Sequence, residues 1–241
     1  GVGSTPATIP PTAISGADGP RQFLATSTGT TVDWRTLSTI FPGAPIYDVM
    51  AYPFNATGDG VADDLTAINA AIAVALVTPG IVYLGRSHRI TGALTSITTN
   101  CIIIQGRGMD TNGTTLTCTT SPAAIATFAS GARFSGIRDI RIFGASGTTG
   151  YAVIFQQAFR CFAHNLRISA VGNGIEIDRC NTTYIENVDI VDPLDDYGFH
   201  VHGVNPDFCH VTRFVRCQVG GSGTTYIGFA HGSFAHTVIY L

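Results

Sequence analysis

Polar and apolar residues alternate in short runs that recur through the second half of the chain. The runs are Thr115-Leu116-Thr117-Cys118, Asp139-Ile140-Arg141-Ile142, Asn165-Leu166-Arg167-Ile168, Asn187-Val188-Asp189-Ile190, Phe214-Val215-Arg216-Cys217 and Thr237-Val238-Ile239-Tyr240. Their first apolar positions, 116, 140, 166, 188, 215 and 238, are separated by 24, 26, 22, 27 and 23 residues. A second series agrees. Gly150, Gly174 and Gly198 lie 24 residues apart, and each opens a further alternating run: Tyr151–Phe155, Ile175–Asp178 and Phe199–His202. Alternation predicts strands with one face inward and one outward. Recurrence at this period predicts a stacked-repeat architecture, in which each unit buries its apolar side against the next. Two or three short strands per turn of about 24 residues make a parallel β-helix.

Upstream of the ladder the pattern changes to one expected of a cap. Thr57-Gly58-Asp59-Gly60 has the chemistry of a turn. Asp63 or Asp64 is then placed to cap a helix whose apolar residues Leu65, Ile68, Ile72, Ala75 and Leu76 share one face. Thr78-Pro79-Gly80 stops that helix, and Ile81-Val82-Tyr83-Leu84 follows as a strand. The first turn of a solenoid presents an apolar cross-section and unpaired strand edges, which an amphipathic helix can cover. Turn and capping roles account for Asp59, Asp63 and Asp64, so no cation is expected among them.

Residues 1–45 are rich in Thr, Pro, Gly, Ala and Ser, and Ile9-Pro10-Pro11 disfavours both helix and central strand. Within them, Gly16 to Trp34 reads as a small hairpin-like unit. The expected organisation is therefore a segment over 1–45 and a solenoid over 46–241. Leu241 falls within a strand pattern, so more chain or a covering partner is expected at that end.

Composition narrows the functional classes. The chain is 45% hydrophobic but 12% charged, with 28 glycines, which suits long faces covered by Thr, Ser and Asn. A net charge of −3 gives no concentrated basic face for nucleic acid. No apolar run has the length of a membrane span, so no insertion is expected. Cys161 and Cys209 each precede a ladder run by five residues and hold similar phase two turns apart. At about 9.5 Å that separation is beyond disulfide reach. Cys118 and Cys217 fall on inward positions, and reduced cysteines are expected.

Stacking places positions about two dozen apart side by side, and two clusters of candidate chemistry follow. Aligning the three glycines puts Ala152, Glu176 and His200 in one outward column and Ile154, Asp178 and His202 in the next. Glu176, Asp178, His200 and His202 would form a polar rectangle suited to acid/base work or an occasional metal. The same four residues can equally form carboxylate–imidazole pairs between neighbouring strands. The second cluster, Asp192-Pro193-Leu194-Asp195-Asp196-Tyr197, reads as a projecting loop suited to sugar binding or hydrolysis, or as a turn rich in Asp for turn-forming reasons. Arg167, Asp189 and Arg216 are expected to form a charge ladder, and Asn165 and Asn187 an amide ladder.

The stretch Phe54-Asn55-Ala56-Thr57-Gly58-Asp59-Gly60-Val61-Ala62-Asp63-Asp64, continued by Ala67-Ile68 and Ala71-Ile72, closely resembles the entry motif of the pectate-lyase-like superfamily. That superfamily includes polygalacturonase-type enzymes and phage tailspikes. The resemblance implies an all-β, right-handed parallel β-helix whose N-terminal end is plugged by an α-helix. Gly85-Arg86 stands where the family usually has Pro. The segment Gly16 to Trp34 resembles the small N-terminal modules of bacteriophage tail fibres and tailspikes, with Pro20-Arg21 interposed. Asp195-Asp196 resembles the paired aspartates of polygalacturonases, although their companion motifs are missing here.

These resemblances imply a homotrimeric virion protein that meets phage tail or baseplate proteins through 1–45 and binds, or also depolymerises, host-surface polysaccharide. A secreted microbial polysaccharide hydrolase or lyase is the alternative. The candidate catalytic residues are Asp192, Asp195, Asp196 and Glu176. The candidate substrate-binding residues are Asp178, Tyr197, His200 and His202, with the Tyr197 and Phe208 rings available for sugar faces. No cofactor and no metal is expected.

Overall fold

The alternating runs described in the structure lie on strands except that of 214–217, where the strand ends at Val215 and Arg216-Cys217 form a bend. Among the described residues every strand pairing from residue 44 onward is parallel. This computed structural model describes residues 22–26, 32–36, 43–144, 150–195, 197–203, 209–221, 227–231 and 235–240. The chain divides into two units, Gly1–Gly43 and Ala44–Leu241. In the first, β1 (Gln22–Thr26) and β2 (Val32–Thr36) pair antiparallel, with Leu24 opposite Trp34.

The second unit is a parallel β-solenoid. Its first strands are β3 (Ile46–Asp48) and β4 (Asp59–Asp63), followed by helix α1 (Leu65–Val77), β5 (Ile81–Tyr83), β6 (Ser87–Ile90), β7 (Ile103–Gln105) and β8 (Thr114–Cys118). Then come β9 (Ala124–Phe128), β10 (Gly136–Gly144), β11 (Tyr151–Gln156), β12 (Phe162–Ser169), β13 (Asn173–Asp178) and β14 (Asn181–Val191). The last are β15 (Tyr197–His202), β16 (Cys209–Val215), β17 (Gln218–Gly220), β18 (Ile227–His231) and β19 (Ala235–Tyr240). One wall is the long sheet β3-β5-β7-β10-β12-β14-β16-β19, with β4, β6, β8 and β17 alongside. The opposing wall is the five-stranded sheet β9-β11-β13-β15-β18. Among the described residues, no helix is long and apolar enough to cross a membrane.

The core is a set of one-residue-wide columns running along the stack. Ile104, Ile137, Ala163, Ile185 and Phe214 form one; Leu116, Ile142, Ile168, Ile190 and Val219 form another. From the other wall, Phe128 stacks on Phe155 at 5.1 Å and Phe199 on Phe229 at 4.8 Å. Helix α1 sends Ile68, Ala71, Ile72 and Ala75 into the same core.

Asp64 occupies the N-cap position, but its side chain makes no capping bond. Its carboxylate turns back instead, accepting the N–H groups of Thr57 (2.7 Å) and Gly58 (3.0 Å) and meeting His88 Nδ1 at 2.8 Å. Gly58 has a φ of +66°, which suits it to this turn. Asp63 does the local work, accepting the Leu65 N–H, and Asp59 accepts those of Val61 and Ala62. All three aspartates are thus engaged in turn and cap geometry.

Ile140, Leu166 and Val188 are register partners, as their spacing predicts. The ladder slips by a few residues at its two ends. Leu116 lies opposite Ile142 rather than Ile140, Val215 opposite Glu186, and Val238 opposite Thr212. The cause is that strands keep register while bends absorb different numbers of residues: Phe162 to Tyr184 is 22, and Tyr184 to Arg213 is 29. For the same reason Arg216 leaves the expected charge ladder. Arg167 faces Asp189 at 3.8 Å, whereas Arg216 pairs with Glu186 and Asp189 lies opposite Gln218.

The amide ladder forms and gains a member, with Asn187 donating to Asn165 (2.9 Å) and Asn165 to Asp139 (2.7 Å). All six cysteines are free thiols. The nearest cysteine to Cys209 is Cys180, one turn away, whose N–H donates to Cys209 Sγ at 3.2 Å. Cys161 belongs to a different column, its thiol bonding to Ala132 O.

Candidate functional site

On β13 and β15 alternation sends Ile175, Ile177, Phe199 and Val201 into the core, so Glu176, Asp178, His200 and His202 face outward. Register then sets Glu176 opposite His200 and Asp178 opposite His202. The rectangle expected for these four residues is formed. The turn before it departs from expectation, because Tyr151 pairs with Asn173 and Val153 with Ile175, a step of 22 rather than 24. Gly150 is therefore out of phase with Gly174. Ile154 lies beside Glu176, and Gln156 beside Asp178.

The geometry gives each group a distinct role. His202 Nε2 is 2.9 Å from Glu176 Oε1, and its Nδ1 is 3.6 Å from Asp178 Oδ1. His200 Nδ1 lies 3.9 Å from the same Glu176 oxygen and 3.1 Å from the Tyr151 hydroxyl, which reaches it from two turns away. The imidazole of His200 is sandwiched between Tyr197 (4.4 Å) and His202 (4.5 Å). Tyr197 therefore has one ring face covered, and its N–H donates to Asn173 Oδ1. Asp178 is buried. Arg179 donates to both its oxygens at 2.7–3.0 Å and Gln156 to one at 3.2 Å.

The two imidazoles are shifted in opposite directions from the ordinary histidine value. The hydrogen bond to Glu176 raises His202 above the ordinary histidine value, with the Asp178 charge adding to it. Burial lowers His200, and the neighbouring His202 lowers it further. A pair of titratable groups pushed apart in this way can act as one acid and one base near neutrality.

The remaining nominated residues lie on the segment between β14 and β15. Asp192 has a φ of 49° and donates its N–H to Gly220 O. Asp195 donates its N–H to Gly172 O, which ties the segment to the preceding turn. Asp196 and Phe208 lie outside the described residues.

Beside the cluster is a groove of about 500 Å³, lined by Arg133, Gln157, Phe159, Arg179, Asn181 and His210 among others. Arg133 and Arg160 lie over the Phe159 ring at 5.6 and 5.2 Å, and Arg160 also over Phe134 at 5.6 Å. Phe134 is 48% exposed. Arg179 joins the two features, holding Asp178 on one side and lining the groove on the other. Sequence reasoning missed this groove. Its signal was the recurrence of an Arg–Phe neighbour pair, Arg133-Phe134 and Phe159-Arg160, at close to the ladder period but in the bends, outside the alternating runs.

No family model and no curated protein matches the sequence. Solved structures do. A protein of Parabacteroides merdae described as a candidate glycosyl hydrolase superposes with a TM-score of 0.61 at 11% identity, covering 81% of this chain and 95% of the other. A mutant tailspike protein of E. coli bacteriophage HK620, in complex with a pentasaccharide, superposes at 0.55 and 11% identity, covering 86% and 41%. The ORF18 protein of Geobacillus virus E2 superposes at 0.51 and 19%, covering 84% and 47%. The likeness is one of fold. This chain spans less than half of each viral chain but nearly all of the bacterial one.

Proposed function

We propose that this chain is the polysaccharide-binding solenoid of a bacteriophage tailspike or tail-fibre subunit, joined to phage tail or baseplate proteins through residues 1–45. The observation that carries the reading is the groove lined by Arg133, Phe159 and Arg179, where Arg133 lies over the Phe159 ring and Arg160 lies over both that ring and the neighbouring Phe134. Aromatic faces take the apolar side of a sugar ring, and guanidinium groups take its hydroxyls or carboxylates. A solenoid offers these in a long wall that needs no reordering when an extended glycan is laid along it, which lowers the entropic cost of binding. Two further features support the viral assignment: the resemblance of Gly16 to Trp34 to tail-protein modules, and the fold shared with a tailspike that holds a pentasaccharide.

Glu176 is the proposed proton-transfer residue if the bound glycan is also cleaved, with Asp192, Asp195 and Asp196 as further carboxylates. Tyr197, His200 and His202 then contact the sugar, while Asp178, buried and held by Arg179 and Gln156, stands behind His202. The test is to incubate the chain with purified capsular and O-antigen polysaccharides, measuring retention of the glycan and its chain length. Binding that survives Phe159→Ala and Arg160→Ala unchanged would remove the groove from the reading. Shortened glycan with wild type but not with Glu176→Gln or Asp195→Asn would identify a depolymerase.

A secreted polysaccharide hydrolase or lyase is the second reading. The observation favouring it is the extent of the bacterial likeness, 95% of that chain. Sedimentation equilibrium discriminates, because a spike is expected as a homotrimer and the secreted enzyme as a monomer.

A further inference from the structure

Glu176, His200 and His202 bring one carboxylate oxygen and two imidazole nitrogens to within 4.8 Å of one another on the outer face of β13 and β15. We propose that these three side chains are the protein ligands of a zinc-type metal site whose fourth position is open to water or a ligand oxygen. The inference does not depend on glycan binding; with the ion bound Glu176 is a ligand, and any proton transfer to a glycan falls to Asp192 or Asp195.

The strand geometry produces the site. Residues two apart on a strand point to the same side, so His200 and His202 stand next to each other. Parallel register then sets Glu176 directly across from His200. In a tetrahedral zinc site with bonds near 2.0–2.1 Å, ligand atoms stand about 3.3 Å apart. The two distances to Glu176 Oε1, 2.9 Å from His202 Nε2 and 3.9 Å from His200 Nδ1, bracket that value. The His200 and His202 rings stack at 4.5 Å in the metal-free chain, so coordination requires them to turn until both lone pairs converge on the ion. The side chains are 18–25% exposed, so an ion reaches them without opening the fold.

The surroundings fit the same assignment. Metal-binding histidines usually carry a carboxylate on the ring nitrogen that does not bind metal. His202 has one, since its Nδ1 faces Asp178 at 3.6 Å, and Asp178 is itself held by Arg179 and Gln156. The Tyr151 hydroxyl, 3.1 Å from His200 Nδ1, gives up that contact when the nitrogen turns to metal. Two imidazoles and one carboxylate select zinc, cobalt, nickel or copper over calcium and magnesium, which prefer all-oxygen sets.

The experiment is a calorimetric titration of the full chain with zinc chloride, repeated with cobalt(II) as a visible-spectrum probe. One zinc per chain is expected, with a cobalt spectrum of low coordination number and a rise in unfolding temperature on saturation. His200→Ala and His202→Ala should each weaken binding at least tenfold, and Asp178→Asn by roughly 10- to 100-fold. Glu176→Gln retains a hydrogen-bonding partner for His202 without the anionic ligand. At alkaline pH, where His202 is neutral with or without Glu176, it should keep the metal-free melting temperature and lose the zinc response. Cys101→Ser, which removes the exposed thiol, should leave zinc binding unchanged. Absence of binding by wild type, unchanged affinity in both histidine variants, or loss of binding in Cys101→Ser would overturn the assignment.

Discussion

Asp64 and His88 form a buried polar pair at the solenoid entrance, with Asp64 3% exposed and His88 fully buried. The Asp64 carboxylate also carries two backbone N–H groups of the preceding turn. Removing it leaves those donors and the imidazole without their acceptor inside the protein. Asp64→Ala is therefore expected to destabilise the fold by about 3–5 kcal/mol, and Asp64→Asn by less, as read by urea denaturation. The outward histidines make a different prediction, for protein treated with chelator. Followed by NMR, His202 should titrate above the ordinary 6.5 and His200 below it. The stability contributed by His202 is present below pH 6.5 and lost as pH rises through its folded value. That of His200 has the opposite sense, present above 6.5 and lost as pH falls through its lowered value. Glu176→Gln should bring His202 down toward its ordinary value, because the largest cause of its shift is that hydrogen bond.

The bend that joins the two parts of each long strand is a repeated device. Asp139, Asn165 and Asn187 all adopt left-handed φ values of 52–60° and stack amide on carboxylate along the solenoid. Asn and Asp tolerate this conformation better than other residues with a Cβ. Asn165→Ala loses two hydrogen bonds and keeps the strained φ, and should cost about 1–3 kcal/mol. Asn165→Gly loses the same bonds but relieves the backbone, so the difference between the two variants measures the conformational part. Arg216, at φ 50°, takes the next place in this series, opposite the bend of Asn187. Along the inward columns the expected effect is one of packing. Leu166→Ala, between Ile140 and Val188, should cost about 2–5 kcal/mol by leaving a cavity, checked by thermal denaturation.

The assembled solenoid stands on sequence-distant neighbours, and its outer walls carry the proposed chemistry. If the Arg–Phe groove takes a glycan, Phe159→Ala should weaken binding by about 1–2 kcal/mol, roughly tenfold, with the melting temperature little changed because the ring is only half-buried. The assay is retention on immobilised polysaccharide. Three copies by sedimentation with glycan bound would fit the spike reading; one copy would fit the secreted enzyme.

Much of this was legible in the chain itself. Alternation with a period near 24 residues specifies which positions turn inward, and the turn, helix and stop signals from Thr57 to Gly80 specify the cap, because both are local consequences of backbone geometry. The pairing of Glu176 with His200 and of Asp178 with His202 was also legible, since a single turn of constant length separates them. What the tertiary structure alone decided is how many residues each bend consumes. That count moved Leu116 against Ile142, took Arg216 from Asp189 to Glu186, and set Gln156 beside Asp178. It also brought Tyr151 to His200 across two turns and set Arg133 and Phe159, from successive bends, in one groove, contacts that strand alternation alone does not encode.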